Sequence, residues 1–323
     1  IDNNSTYANS AYVALRLDSK QFNRIPTRKY RIRGVKVRIP GAGASNSGTP
    51  TVDLQTGRII YPSGYIFNGT MGAAVWSGSR NEISNFPVKM FLKFFDNHGI
   101  LDLNNAPQWH TVDGGSYTYV RRILDQFKGK IIEGNGAKSI QRTENKVEVT
   151  LENNEKLLFD KVVCATHADQ TYHMIKDHSI EEKLILEPWE YSKNKTILHT
   201  DISLMPPTKS AWACWNYVKN KDSKDSDEVS VTYYMNRLQG LKTEKDYLVT
   251  LNPTKIIPKN KIIYETEYTH PKYTHSSLSA QKNIEKDNGL NHLYFCGSYC
   301  RYGFHEDAVL SAVNVAKKLG CEL

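Results

Sequence analysis

The chain has 323 residues, 39% hydrophobic and 24% charged, a balance that builds a real core in one large domain or two ordinary ones. No apolar run reaches membrane-spanning length and no basic-then-apolar leader occurs, so nothing points to insertion or secretion. Five cysteines without a C-x-x-C pair give neither a disulfide framework nor a zinc site, which predicts a reducing, cytoplasmic compartment and no metal. The chain opens on Ile1, as a fragment of a longer reading frame would.

The net charge of +8 is concentrated at one end. Up to residue 76 there are seven Arg and three Lys against three acidic residues; beyond it there are six Arg and twenty-six Lys against thirty-one. Basic residues therefore change in kind as well as density, a first sign of two origins. Residues 11–17 (AYVALRL) alternate loosely and residues 30–39 (YRIRGVKVRI) strictly, with Arg31, Arg33, Lys36 and Arg38 opposite Ile32, Val35, Val37 and Ile39. Both read as half-buried strands. The basic row has few aromatic residues to stack on bases, so a solvated strand face is preferred to a nucleic-acid surface. The run Gly41-Ala42-Gly43-Ala44-Ser45-Asn46 imitates a dinucleotide fingerprint, but Asn46 replaces the third glycine, Pro40 interrupts the strand end and no helix follows, so a loop is expected.

Residues 1–74, from YANSAYVALRLDSK through TGRIIYPSGYIFNGTMGAA, resemble the middle of a phage central tail-tip (host-specificity) attachment protein. That resemblance implies a structural β module without catalytic residues, assembly into a phage tail, and a place in the virion. At residues 71–77 (MGAAVWS) the character changes. From Val75 the run WSGSRNEISNFPVKMFLKFFDNHGILDLNNAPQWHTVDGGSYTYVRRIL resembles flavin-containing amine oxidase-like proteins. Both families place a motif close to M-G-A-A-x-W here, so the expectation is a chimera joined at this stretch.

In the second part, Val88, Phe91, Leu92 and Phe95 mark a core-facing helix over residues 86–95. Asp113-Gly114-Gly115 predicts a turn into a helix carrying Tyr117, Val120, Ile123 and Leu124. Residues 131–140, 146–151 and 156–159 predict an antiparallel meander turning at Asn153-Asn154, and residues 160–165 (DKVVCA) a buried strand. The resemblance implies that the backbone near Ala137 passes the adenine of FAD, although a β-branched residue is more usual there, and that the strand ending at Ala165 lies under the cofactor. His167 and Asp169 after that strand invite an acid–base reading; hydrogen-bonded structure is preferred. Trp212, Trp215, Asn216, Tyr233, Tyr234 and Asn236 either line the substrate face of a flavin, as the resemblance implies, or form a sheet core with satisfied polar tips. Residues 219–228 (KNKDSKDSDE) predict a solvated hairpin loop.

Residues 292–320 close the chain with a strand, a glycine turn at Gly297 and a helix that has Glu306 and Asp307 at its start and Val309, Ala312, Val313, Ala316 and Leu319 at helical spacing. FCG followed by YGFHED and a small-residue helix resembles the C-terminal signature of the amine oxidase-like flavoproteins, where this segment lies along the isoalloxazine and ribityl parts of FAD. By position the resemblance points to Gly297, Ser298, Gly303, Phe304, His305, Glu306 and Asp307 as cofactor-binding residues; Ser298 stands where many relatives carry an acidic residue.

The expected architecture is mixed α/β: an incomplete Rossmann-like FAD half-domain, a mostly β substrate domain and an N-terminal β module. The segments are 1–74 (tail-tip-like module), 75–112 (substrate-domain helix), 113–190 (FAD domain), 191–285 (substrate-domain sheet) and 286–323 (closing FAD-binding unit). The expected function is hydride transfer from a small-molecule substrate to flavin, with no catalytic base assignable and with activity lost. No glycine-rich βαβ unit occurs in the sequence, so weak or no FAD binding is expected, with exposed edges on the strands ending at Ala165 and Cys296. The alternative is a phage structural protein carrying a passive enzyme fragment.

Overall fold

The computed structural model describes residues 27–30, 51–53, 58–60, 75–76, 86–97, 109–217 and 229–321. The predicted strand at 11–17, that at 30–39 except Tyr30, the loops at 41–46 and 219–228, and most of the 71–77 junction lie outside the described residues. The N-terminal elements are β1 (Thr27–Tyr30), β2 (Thr51–Asp53), β3 (Arg58–Ile60), α1 (Val88–Asn97), β4 (Trp109–Val112) and α2 (Tyr117–Gln126). Next come β5 (Ala137–Arg142), β6 (Val147–Leu151), β7 (Lys156–Phe159), β8 (Val162–Cys164), α3 (Ala168–Met174) and α4 (Ile180–Leu186). The chain continues with β9 (Tyr191–His199), β10 (Trp215–Tyr217), β11 (Val231–Tyr234), α5 (Met235–Gln239), β12 (Leu248–Leu251) and β13 (Ile262–Pro271). It ends with α6 (His275–Asp287), β14 (Leu293–Phe295) and α7 (His305–Lys318). The class is mixed α/β. No described helix is long and apolar enough to cross a membrane.

Two compact units emerge, the first built from Val120–Tyr191 and Tyr273–Leu323, the second from Ile25–Tyr119 and Ser192–Lys272. In the first, β5, β6 and β7 form an antiparallel meander. Val147, Val149 and Leu151 of β6 point to the buried face while the residues between them stay half-buried, the period-2 signature of a strand covered on one side. The predicted first strand begins later than residue 131: Gly134, at φ +70°, lies in a loop, and pairing starts at Ala137 opposite Leu151. Asn154 turns the chain at φ 66°, in the expected place. Strands β8 and β14 pair in parallel, Val162 with Leu293 and Cys164 with Phe295. Tyr294 and Cys296 pack with Val315 of α7 and with Val163 and Leu319.

The closing helix starts where expected but is rotated from the expected face. Asp307, Ser311 and Val315 are its buried residues, whereas Val309 is 45% exposed. Apolarity alone misplaced the face because two of the inward positions are polar and hydrogen-bonded. Among the described residues β8 and β14 form a two-stranded sheet, and a side chain covers the outer edge of β14 at one residue. The Asn288 side chain donates to Phe295 O at 2.7 Å and accepts from Phe295 N at 2.8 Å, pairing as a neighbouring strand would.

The second unit centres on a five-stranded sheet ordered β10-β11-β12-β9-β13. Asn216, Thr232, Thr250 and Ile197 form one cross-strand row, and Trp215, Tyr233, Val249 and Leu198 form the next, on the opposite face. The first face is the core: Ile197 packs with Leu204, Ile257 and Ile262, and Leu248 with Met205, Trp212 and Tyr234. A polar ladder crosses it, His199 Nε2 to Thr250 Oγ1 at 2.7 Å and on to Thr232 Oγ1 at 2.9 Å. Strand β1 pairs antiparallel with β4, and β2 with β3. In α1, Phe91 and Phe95 are buried as predicted, joined by Met90 and Phe94. Trp76 completes this aromatic cluster, with ring centroids 4.4 Å from Phe86 and 4.9 Å from Phe94.

Candidate functional site

The candidate site lies in the first unit, beyond the carboxyl ends of β8 and β14, where open α/β sheets present ligand-binding loops. Cys296 N donates to Cys164 O at 3.1 Å, so the two strands end level with each other. After Gly297 a single 3-10 turn spans Ser298–Cys300, closed by Arg301 N and Gly303 N both donating to Ser298 O. Gly297 N donates to Ser311 Oγ at 2.9 Å, and Ser311 Oγ donates to Ala308 O at 2.7 Å, clamping the turn onto α7. From α6, Gln281 Nε2 donates to Tyr299 O at 2.8 Å and also to Arg301 O. Asp307, third in the helix, accepts on one oxygen from Phe304 N at 3.0 Å and from Tyr302 N at 3.3 Å. Its other oxygen lies 3.8 Å from Arg301 Nε.

Both glycines of this loop are set by buried tyrosines. A Cβ on Gly297 would lie 2.6 Å from the Tyr299 ring, and one on Gly303, held at φ +96°, would lie 2.8 Å from Tyr273 Oη. Trp189 joins them, its ring 5.3 Å from that of Tyr299 and 5.7 Å from that of Tyr273 in steep edge contacts. Burial pushes the Tyr273 and Tyr299 phenols far above their ordinary range, so both stay protonated. Among the described residues Tyr299 Oη and Trp189 Nε1 have no hydrogen-bond partner, although both are buried. Such orphaned donors are uncommon in folded proteins. Burial also raises the thiols of Cys164 and Cys300 to about 12 and that of Cys296 to about 11, leaving none as a thiolate nucleophile at neutral pH.

On the β8 side, Tyr191 Oη accepts from Ala168 N at 3.0 Å while its ring stacks on His167 at 4.4 Å. Burial lowers the His167 pKa against the opposing pull of Asp169. His167 caps α3, its N–H donating to Gln170 Oε1 at 3.2 Å, and Asp169 Oδ1 accepts from Gln170 N at 2.8 Å. Both residues serve the start of the helix, the structural role preferred from sequence.

The structure gathers Gly297, Ser298, Gly303, Phe304, His305, Glu306 and Asp307 into one turn and helix start, with His305 and Glu306 exposed and Asp307 buried. Ala137 opens β5 in the same unit, half-buried, just before a register shift in the ladder. Of the six residues singled out in the second unit, four have satisfied polar tips on or beside the core face. Trp212 Nε1 donates to Pro206 O at 2.8 Å, Asn216 Nδ2 to Ala213 O at 2.7 Å, Tyr234 Oη to Asp246 at 2.7 Å and Asn236 Nδ2 to Lys245 O at 2.7 Å. Trp215 and Tyr233 share the opposite face as an edge-to-face pair 5.5 Å apart, with Trp215 45% exposed. Sequence reasoning missed Trp189, Tyr273, Gln281, Asn288 and Ser311; only Asn288-Gly289, a turn signal ahead of an apolar run, carried a local cue.

No protein-family model matches the chain, and no curated protein is significantly similar to it in sequence. Solved structures are similar in fold. A CLA-producing fatty acid isomerase from P. acnes matches with a TM-score of 0.56 and 12% identity, over 76% of this chain and 62% of that one. Reduced UDP-galactopyranose mutase matches at 0.49 and 15% identity, over 67% and 54%, and putrescine oxidase bound to putrescine at 0.46 and 9%, over 70% and 57%. The chain shares the isomerase's fold and spans 62% of its length.

Proposed function

We propose that the chain is part of an FAD-dependent, amine oxidase-like oxidoreductase. The first unit would carry the cofactor-binding half and the sheet of the second the substrate-binding part. The observation that carries this reading is the β8–β14 parallel pair, with the Gly297–Phe304 loop and α7 beyond its carboxyl end, in a fold shared with the isomerase. The residues present fit the flavin end of such a cofactor. Tyr299 Oη and Trp189 Nε1 are buried donors with no partner among the described residues, suited to the acceptor atoms of a polar ring. Glu306 and Asp307 in the first turn of α7 disfavour a phosphate there and suit the uncharged isoalloxazine and ribityl parts. Gly297, Ser298, Gly303, Phe304, His305, Glu306 and Asp307 would hold that part, and Ala137 the adenine end.

Bound FAD would supply a hydride acceptor for a carbon of a small-molecule substrate. The protein's part is to position and to exclude water, with Trp215 and Tyr233 as the aromatic pair nearest to a substrate-facing role. The sequence holds no glycine-rich βαβ unit for the pyrophosphate, so these 323 residues are expected to bind FAD weakly and to turn over no substrate. Gel filtration after incubation with FAD tests this: protein that elutes colourless agrees, and protein that stays yellow with near-stoichiometric FAD refutes the expected loss of binding. Titration of FAD against Trp fluorescence tests the site itself, which fails if saturating FAD leaves Trp189 emission unchanged.

A second reading is favoured by the change from Arg to Lys near residue 76. Residues 1–74 would be a tail-tip module and the rest a passive enzyme fragment, assembling as a trimer in a virion tail. Single long reads across the codons for residues 71–77 test it: molecules carrying only one side leave two separate proteins.

A further inference from the structure

We infer that Asp307 is a positioning residue: it holds the loop from Arg301 to Phe304 in place through backbone N–H groups and makes no direct contact with the cofactor. The inference rests on the cofactor reading above and assigns this residue a different role from its neighbours. Asp307 is 5% exposed, and its carboxylate turns onto its own loop. Tyr302 N and Phe304 N both donate to the same oxygen, Oδ2, while Oδ1 faces Arg301 Nε at 3.8 Å. Arg301 in turn lies over the Tyr302 ring, 5.3 Å from its centroid.

The loop needs such a tie. Gly303 sits at φ +96° with Tyr273 Oη where a Cβ would stand, and the backbone of the segment is also held by Gly303 N and Arg301 N donating to Ser298 O and by Gln281 Nε2 donating to Arg301 O. The two Asp307 bonds fix the stretch between those anchors and the first turn of α7, and with it where Phe304, His305 and Glu306 stand. Oδ2 is shared by two backbone N–H groups and the residue is buried, so little of the carboxylate is open to a ligand.

Because both bonds use one oxygen, asparagine can keep them and lose only the charge, while alanine loses both. The test is amide hydrogen exchange and FAD titration on the 323-residue chain with Asp307→Ala and Asp307→Asn. Amides of the β5–β6–β7 meander serve as the control for global folding. Asp307→Ala should speed exchange at Tyr302 and Phe304 by roughly tenfold or more, as expected for loss of charge-assisted hydrogen bonds, and leave the meander unchanged. It should also weaken FAD binding, and Asp307→Asn should restore most of both. Unchanged exchange in Asp307→Ala overturns the inference, as does an asparagine variant that protects the amides yet loses FAD as fully as alanine, since the charge itself would then be the contact. If the unsubstituted chain shows no response to FAD at any concentration, the cofactor reading fails, whereas the exchange data still decide whether Asp307 sets the loop.

Discussion

Replacing Arg142 tests how the first unit is tied together. Its guanidinium donates to Asp177 O at 2.9 Å and to Asn291 O at 3.2 Å, pairs with Glu182, and lies 3.1 Å from Asp177 Oδ1. It thus joins β5, the loop before α4, α4 itself and the turn ahead of β14. The Arg142 and Glu182 side chains are 14% and 3% exposed, so removing the cation strands a buried carboxylate. Losing one partner of a buried pair costs about 3–5 kcal/mol. Glu182 keeps one bond, accepting from Ser179 N at 2.9 Å, which places the expected cost at the lower end, about 3 kcal/mol. Asp177, at 34% exposed, adds little. The two units need not unfold together, so the readout is amide exchange at β5 and α4, with no reliance on a single melting temperature. Arg142→Leu should speed exchange there roughly a hundredfold. Adding Glu182→Gln removes the stranded charge while keeping the Ser179 bond, and should recover at least half of the loss. A single variant that shifts exchange less than about fivefold, or a double variant no better than the single, refutes the reasoning.

Asn288→Ala removes both bonds to Phe295 and should cost about 2 kcal/mol, read as faster exchange of the Phe295 amide with α7 unaffected. Gly303→Ala places a side chain at φ +96° and 2.8 Å from Tyr273 Oη; a loss of about 2 kcal/mol and a change in Trp189 emission are expected, because Tyr273 packs on that indole. For the second unit, burial lowers the His199 pKa, with Lys261 acting in the same direction and Asp201 opposing. The unfolded chain then takes up a proton below about pH 6.5 that the folded unit resists, so stability should fall as pH drops from there until the lowered pKa is passed. His199→Gln should flatten that part of the pH profile, measured by denaturation of the second-unit sheet; an unchanged slope would rule His199 out as its source.

Much of the fold was legible because short-range chemistry agrees with it. Alternation marked β6, glycines at 114 and 115 with φ near +82° and +83° marked the turn before α2, and the apolar run with Gly297 marked β14 and its turn. The late start of β5 comes from a glycine at φ +70°, whereas other departures come from polar groups satisfied inside the fold. Asp307 and Ser311 occupy the inward face of α7, so a periodicity of apolar residues alone placed that face wrongly. Asn288 imitates a strand edge with a side chain, which no strand pattern can reveal. In the second unit His199, Thr250 and Thr232 lie on the core face, where a hydrophobic row would be expected.

The candidate site shows why a recognisable motif need not be a set of ligand contacts. Gly297 is glycine because Tyr299 packs against its Cα, Gly303 because Tyr273 does, and Asp307 closes the loop between them. Each of these residues satisfies a demand internal to the first unit, and those demands exist before any cofactor arrives. The loop is therefore preorganised, and ordering it costs little at the moment of binding. What is left over marks the contact surface better than the motif does. His305 and Glu306 stand exposed at the start of α7, and Tyr299 Oη with Trp189 Nε1 are donors that the described residues leave unused. A buried donor with no partner loses about 1–3 kcal/mol relative to a satisfied one. Tyr299→Phe should therefore leave the free protein at least as stable as before and weaken FAD binding by up to about a hundredfold. The opposite pattern, a less stable free protein with unchanged affinity for FAD, would place the partner of Tyr299 within the protein or its bound water and remove this residue from the site.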